Sequence, residues 1–272
     1  MTPLLPEAFL RVPLAHRGYH SRLTGVENSR EAIANAVAHG YGIELDLQLS
    51  SDGQAMVFHD ETLTRMTGLG GHVIEKSAAE LGAIQLSGGQ SGIPSLGDVL
   101  AQVADKVPLL IEIKYQIGDL GPTNGQLERA TAAALTSYFG PAAVMSFNSH
   151  SVALMAKLAP EIPRGLTTDR FSAADWPDVP KHRLQQLQRL DGFNEMGAGF
   201  ISHDYRDLSS AYVADVKSAG HPVLCWTVTS RDAEIKARQI ADNITFEDYA
   251  AQITPDPCAH HAKSTKGNRG YK

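Results

Sequence analysis

The chain is expected to fold as a TIM (β/α)8 barrel with a small insertion after its second strand. Eight short apolar segments alternate with seven helical patterns over about 240 residues. Two of the segments carry acids where a soluble strand normally turns to the core. One hairpin signal interrupts the alternation. A doubly wound open sheet shares the alternation and is the structural competitor until the motifs are weighed.

The strand-like segments are 12–18, 41–50, 107–115, 142–147, 162–168, 197–204, 221–228 and 242–247, and helical patterns fall near 28–39, 95–105, 124–139, 148–159, 181–190, 207–219 and 230–240. Ser95 with Asp98 three residues later fits a capping box, and Ser230 is expected to form another before RDAEIKARQI. In QLSSDGQAMVFH, Asp52-Gly53 joins two strand-like runs, the strongest short hairpin signal. A tight turn connects antiparallel strands only, so the segment leading to His59 cannot be the next parallel barrel strand. It belongs to a hairpin, and residues 60–94 then read as a Gly-rich stretch of weak periodicity at the barrel mouth. Counted from the turn, the insertion spans about 51–94 of a barrel domain at 1–252. Residues 253–272 are polar and basic and read as a disordered tail.

Composition excludes several classes. Hydrophobic residues at 43% and charged residues at 20% suit a globular domain with a sizeable core. A net charge of -6 and a pI near 6.0 leave no footprint for nucleic acid. No run approaches the roughly 18 apolar residues that span a bilayer, and the N-terminus lacks the pattern of a secretory signal. A cytoplasmic protein without stable membrane insertion is expected; nothing in the sequence sets an oligomeric state. Cys225, inside PVLCWTV, reads as a buried small hydrophobe.

The chemistry-bearing residues cluster early. In GIELDLQLS the period of 2 puts Glu44 and Asp46 on one face and Ile43, Leu45 and Leu47 on the other. In IEIK, Glu112 and Lys114 share the inward face while Ile111 and Ile113 turn to the covering helices. Glu44, Asp46 and Glu112 offer three hard oxygen ligands, suited to Mg2+ or Ca2+. A buried ion-pair network among these acids, Arg17 and Lys114 accounts for the same pattern. His16 and His59 each end a strand, and two imidazoles near a divalent cation can supply a general base and a general acid near pH 7. With Arg17 and Lys114 as fixed positive charges, the set suits phosphoryl transfer.

These motifs, taken in order, resemble the glycerophosphodiester phosphodiesterases over about 14–249. They are His16-Arg17-Gly18, Glu27-Asn28-Ser29, Glu44-x-Asp46, Asp52-Gly53, His59-Asp60, Leu63-x-Arg65-x-Thr67-Gly68, Ile93-Pro94-Ser95-Leu96, Glu112-x-Lys114, Ser146-Phe147 and Trp226-Thr227-Val228. The resemblance implies a metal-dependent enzyme that cleaves glycerophosphodiesters to an alcohol and sn-glycerol 3-phosphate. Glu44, Asp46 and Glu112 would ligate one divalent cation, Mg2+ or Ca2+, with Mn2+ a further candidate. His16 and His59 would be the acid/base pair, with His16 taken by hypothesis as the base and His59 as the acid, a division the sequence does not fix. Arg17 and Lys114 would hold the substrate phosphate. Trp226 would line the mouth against the small-molecule substrate or pack at the end of its strand. Three departures stand out: Ser29 for the commoner Thr, Thr229 for Asn, and Phe246-Glu247 for Thr-Asp. None is expected to touch the metal ligands or histidines. Two other readings use the same scaffold: a lysophospholipase D or sphingomyelinase D-like hydrolase of lipids, and a non-catalytic barrel that holds a phosphorylated ligand.

Overall fold

A computed structural model describes residues 2–21, 25–115 and 118–253. The chain opens with helix α1 (Ala8–Arg11), strand β1 (Leu14–Ala15), α2 (Arg30–His39) and the hairpin β2 (Gly42–Leu49) and β3 (Ala55–Val57). Short helices α3 (Thr64–Thr67) and α4 (Ala78–Ala83) follow, then α5 (Leu96–Val103), β4 (Leu109–Ile113), α6 (Gln126–Leu135), β5 (Ala142–Ser146) and α7 (Ser149–Leu158). The remainder is β6 (Arg164–Thr168), α8 (Lys181–Gln188), β7 (Phe200–Asp204), α9 (Ala211–Ser218), β8 (Val223–Val228), α10 (Arg231–Ala237) and β9 (Asn243–Phe246). All neighbours in the ring β1-β2-β4-β5-β6-β7-β8-β9 pair in parallel, and β1 closes it by pairing with both β2 and β9. The expected TIM barrel is the observed one.

Strand polarity decides which face does what. Ile43, Leu45 and Leu47 of β2 and Ile111 and Ile113 of β4 point outward into the main core with Ile33 and Ala36 of α2 and Leu96 and Val99 of α5. Cys225 is wholly buried in that layer, and burial pushes its thiol up to about 12, so it stays protonated and acts as a small hydrophobe. The inner face divides along the barrel axis. Towards the strand N-termini, Leu14, Leu110, Ala143, Phe200 and Leu224 form an apolar floor, closed from below by Leu5 and Phe9. The buried Asn243 side chain anchors that plug, donating to the carbonyls of Phe9 at 2.8 Å and Val12 at 2.6 Å. Gly42 lets this face pack closely: a Cβ there would come within 2.6 Å of the Leu14 side chain and 3.0 Å of the Pro108 ring, so these would have to shift.

The hairpin forms as its turn signal predicts. Leu47, Gln48 and Leu49 pair antiparallel with Val57, Met56 and Ala55, and Gly53 takes the left-handed φ of 79° that the turn needs. The following stretch has more order than its sequence suggests. Ser77 and Glu80 form a capping box that starts α4, and Phe58, Leu63, Val73, Leu81, Leu86 and Ile93 close a small core with Met56. The box at Ser95 and Asp98 is present. That at Ser230 is only half formed: its hydroxyl caps the N–H of Ala233, but position N3 is Ala233 itself, which cannot return the bond. The basic tail expected at the C-terminus lies outside the described residues from 254 onward.

Replacing Phe9 by Ala removes the plug's largest side chain from a fully buried site. Urea unfolding should show a loss of about 3–5 kcal/mol at unchanged slope. A loss below about 1 kcal/mol would contradict the closed floor.

Candidate active site

Above the floor, the same inner face turns polar. Register sets the change: Asp46 lies beside Glu112 across the β2–β4 ladder, and Glu44 lies beside Leu110. Carboxylate oxygens of Glu44, Asp46 and Glu112 fall within 4.8 Å of one another, and all three residues are buried. They line a cavity of about 110 Å³ at the C-terminal ends of the strands, with His16, Arg17, His59 and Lys114. The opposite wall is apolar and aromatic, made by Met145, Phe147 and Trp226. The sequence-predicted site residues therefore all meet in one place.

Local backbone geometry delivers the loop residues. Arg17 and Asn28 adopt left-handed φ values of 56° and 57°, and the Asn28 N–H donates to the Arg17 carbonyl at 2.7 Å. Gly18 follows at φ 84°, with Ala32 so close that a Cβ would approach to 2.9 Å. This tight fold of the β1–α2 loop aims the Arg17 N–H at Glu44 Oε2, 3.1 Å away, and the Asn28 amide at Asp46 Oδ2, 3.0 Å away.

The cations partly offset the acids. Lys114 Nζ lies 2.9 Å from Glu112 Oε1, 3.5 Å from Asp46 Oδ1 and 3.2 Å from His59 Nε2. Arg17 donates to Glu27 at 2.9 Å and places Nε 3.3 Å from Asp46 Oδ2, in contact but without an aligned hydrogen bond. The ion-pair network anticipated from sequence thus exists, but it does not satisfy Glu44. Burial, then the neighbouring Asp46 and Glu112 charges, push the Glu44 carboxyl well above the usual range. Burial also opposes ionisation of Asp46, yet Lys114, His59 and Arg17 outweigh it and hold that group low. Three hard oxygens around one point, with one of them disfavoured as an anion by the other two, fit a divalent cation such as Mg2+ or Ca2+.

Each histidine leans on a carboxylate. His16 Nδ1 is 2.5 Å from Glu247 Oε2, and His16 Nε2 is 3.9 Å from Glu44 Oε2. His59 Nδ1 is 2.7 Å from Asp60 Oδ1. Hydrogen bonds from Arg65, together with the His59 contact, draw the Asp60 carboxyl down to about 2. An ionised carboxylate only accepts, so the Nδ1 of His59 carries the ring proton and Nε2 turns its lone pair towards the Lys114 ammonium. Glu247 corrects the sequence reading, in which the departure at 246–247 was expected to leave the histidines alone. Glu247 lies 231 residues from His16 in sequence, and no local pattern links the two. Arg65 and Glu27, quoted only as motif residues, join the rim through hydrogen bonds at 2.6 and 2.9 Å.

The model of the glycerophosphoryl diester phosphodiesterase family matches residues 16–247, from His16 to Glu247. The chain belongs to this family. A glycerophosphodiester phosphodiesterase of Caldanaerobacter subterraneus subsp. tengcongensis is 31% identical over 243 residues, 86% of this chain and 93% of that one. Among solved structures, an Oleispira antarctica phosphodiesterase in complex with the product sn-glycerol-3-phosphate has 23% identity and a TM-score of 0.68, covering 88% of this chain and 94% of that chain. A Thermotoga maritima glycerophosphodiester phosphodiesterase has 22% identity and a TM-score of 0.65, covering 86% and 92%. At these identities the two structures establish the shared fold. As a member of the family the chain is an enzyme, a phosphodiesterase, and the reading as a non-catalytic barrel is set aside. Among the described residues, no helix is long and apolar enough to cross a membrane.

Nitrogen NMR of the metal-free protein at neutral pH should show His59 as the Nδ1–H tautomer. An Nε2–H tautomer would contradict the Asp60–His59–Lys114 geometry.

Proposed function

We propose that this phosphodiesterase hydrolyses glycerophosphodiesters to an alcohol and sn-glycerol 3-phosphate, using one divalent cation and the pair His16 and His59. The observation that supports it most is the convergence of three carboxylates, two imidazoles, an ammonium and a guanidinium on one small cavity. The product bound in the Oleispira antarctica phosphodiesterase points to the same substrate class.

Glu44, Asp46 and Glu112 would hold the cation. Bound there, Mg2+, Ca2+ or Mn2+ would polarise the phosphoryl group and offset the charge that builds on its oxygens. Lys114 and Arg17 add donors on the same side. As a phosphate enters, its oxygens compete with Glu112 and Asp46 for these two cations. Phe147 and Trp226 present ring surface to the carbon skeleton, and the Trp226 indole is fixed by donating to the Ser202 carbonyl at 2.9 Å.

The environment of His59 supports a different division of labour from the one expected. Burial above all keeps its ring below the usual histidine range, and nearby Lys114 adds to this. A neutral ring with its Nε2 lone pair turned to the cavity suits the base. His59 would accept a proton from the attacking hydroxyl, of water or of the substrate's own glycerol, once Lys114 moves to the phosphate. The attacking oxygen bonds to phosphorus as the phosphorus–oxygen bond to the leaving alcohol breaks, and His16 would return a proton to that alcohol. Attack by water gives glycerol 3-phosphate directly, and attack by the glycerol hydroxyl gives a cyclic phosphate that water then opens to it. The contact with Glu247 fixes the His16 ring for this step.

A coupled assay for glycerol 3-phosphate on glycerophosphocholine tests the reading. Wild-type activity should vanish with chelator and return on adding Mg2+, Ca2+ or Mn2+. His16→Ala and His59→Ala should each lower turnover about 10²–10⁴-fold with little change in folding. Near-normal turnover in both variants would overturn the assignment, as would faster release of choline from a long-chain lysophospholipid.

A further inference from the structure

Arg65 stands outside the cavity, on α3, with its side chain 46% exposed. It is nevertheless the centre of a polar chain that crosses the mouth. One side of its guanidinium grips Asp60, with Nε 2.6 Å from Oδ2 and Nη2 2.8 Å from Oδ1. The other grips Glu27, with Nη1 2.9 Å from Oε2 and Nη2 2.6 Å from Oε1. Beyond each carboxylate sits a group that lines the cavity. Asp60 Oδ1 meets His59 Nδ1 at 2.7 Å, and Glu27 Oε1 meets Arg17 Nη1 at 2.9 Å.

We propose that Arg65 is a positioning residue that sets His59 and Arg17 together from outside the cavity. The inference rests on the catalytic reading above and extends it to a residue that touches neither substrate nor cation. An exposed ion pair ordinarily contributes little, because solvent screens it and two long side chains lose freedom in making it. Arg65 differs in geometry. Its planar fork holds two carboxylates from two different segments with four hydrogen bonds at fixed angles, which the three donors of a flexible ammonium do not reproduce. Each carboxylate passes the constraint inward. Asp60, held as an ionised acceptor, fixes which His59 nitrogen bears the proton. Glu27 is shared by two guanidinium groups, so it pulls Arg17 less than an unshared carboxylate would. With Arg65 gone, Asp60 is free to rotate off His59, and Glu27 is free to draw Arg17 away from Asp46 and from an entering phosphate.

The test is steady-state kinetics on glycerophosphocholine for Arg65→Met, Arg65→Lys and the wild type, with the His59 tautomer read by nitrogen NMR. Arg65→Met should lower kcat about 10–100-fold, the size of loss that follows removal of an outer partner that orients a working side chain, as at metal sites. It should also raise KM several-fold through Arg17, and the single Nδ1–H form of His59 should give way to a mixture. Arg65→Lys keeps the charge and loses the fork, so it should restore less than half of the lost activity. Glu27→Gln breaks the Arg17 arm alone and should raise KM with little change in the His59 tautomer; it stands in should Arg65→Met fail to fold. Kinetic constants within twofold of wild type, an unchanged tautomer in Arg65→Met, or full rescue by Arg65→Lys would each overturn the proposal. The NMR readout needs no turnover, so it separates this inference from the proposed reaction: an inactive wild type would sink the reaction alone.

Discussion

Three carboxylates on the inner face of two adjacent strands repel one another, and the rest of the site is arranged around that repulsion. A barrel interior offers little water to screen it. Each charge must find a cation, a hydrogen-bond donor or a proton. Lys114 serves Glu112 and Asp46, Arg17 and Asn28 serve Asp46, and Glu44 receives a backbone N–H. The balance remains short, which is why Glu44 is disfavoured as an anion. A cluster this short of positive charge is one that a divalent cation would stabilise.

Such a cluster persists only on a rigid frame. The frame is the closed parallel ring of β1, β2 and β4 to β9, with hydrophobic packing on both sides of it at different heights. Outward-facing Ile43, Leu45, Ile111 and Ile113 tie β2 and β4 to the helices, and the floor plugged by Phe9 seals the barrel beneath the acids. At the site itself, the loop that carries Arg17 and Asn28 holds both in left-handed backbone conformation. That arrangement matches a general expectation: stability from the base and the shell of a barrel, chemistry from the C-terminal ends of its strands.

How much of this was legible in the sequence follows from which interactions are local. The period of 2 in IELDLQ and IEIK placed Glu44, Asp46 and Glu112 inward without any knowledge of the fold, and Asp52-Gly53 explained how His59 leaves the barrel. The residues that hold the histidines were not legible in the same way. Glu247 reaches His16 only because β9 closes against β1, a contact across 231 residues. The Arg65 link to Glu27 spans 38 residues and depends on how the insertion packs over the β1–α2 loop. The order within the insertion was weakly signalled because its helices are short, although the pair Ser77 and Glu80 marks one start. The plug at Phe9 left no periodicity at all, since a four-residue helix is too short to show one.

Cation binding at this site would relieve the repulsion among Glu44, Asp46 and Glu112, and thermal unfolding measures that relief without any substrate. Mg2+, Ca2+ or Mn2+ at about 100 times its dissociation constant should stabilise the metal-free protein by about 2.7 kcal/mol. Glu44→Gln, which removes one of the three charges at nearly constant shape, should raise the melting temperature in chelator and lose most of the response to cation. A wild type whose melting temperature ignores all three cations, with Glu44→Gln less stable than wild type in chelator, would contradict the account.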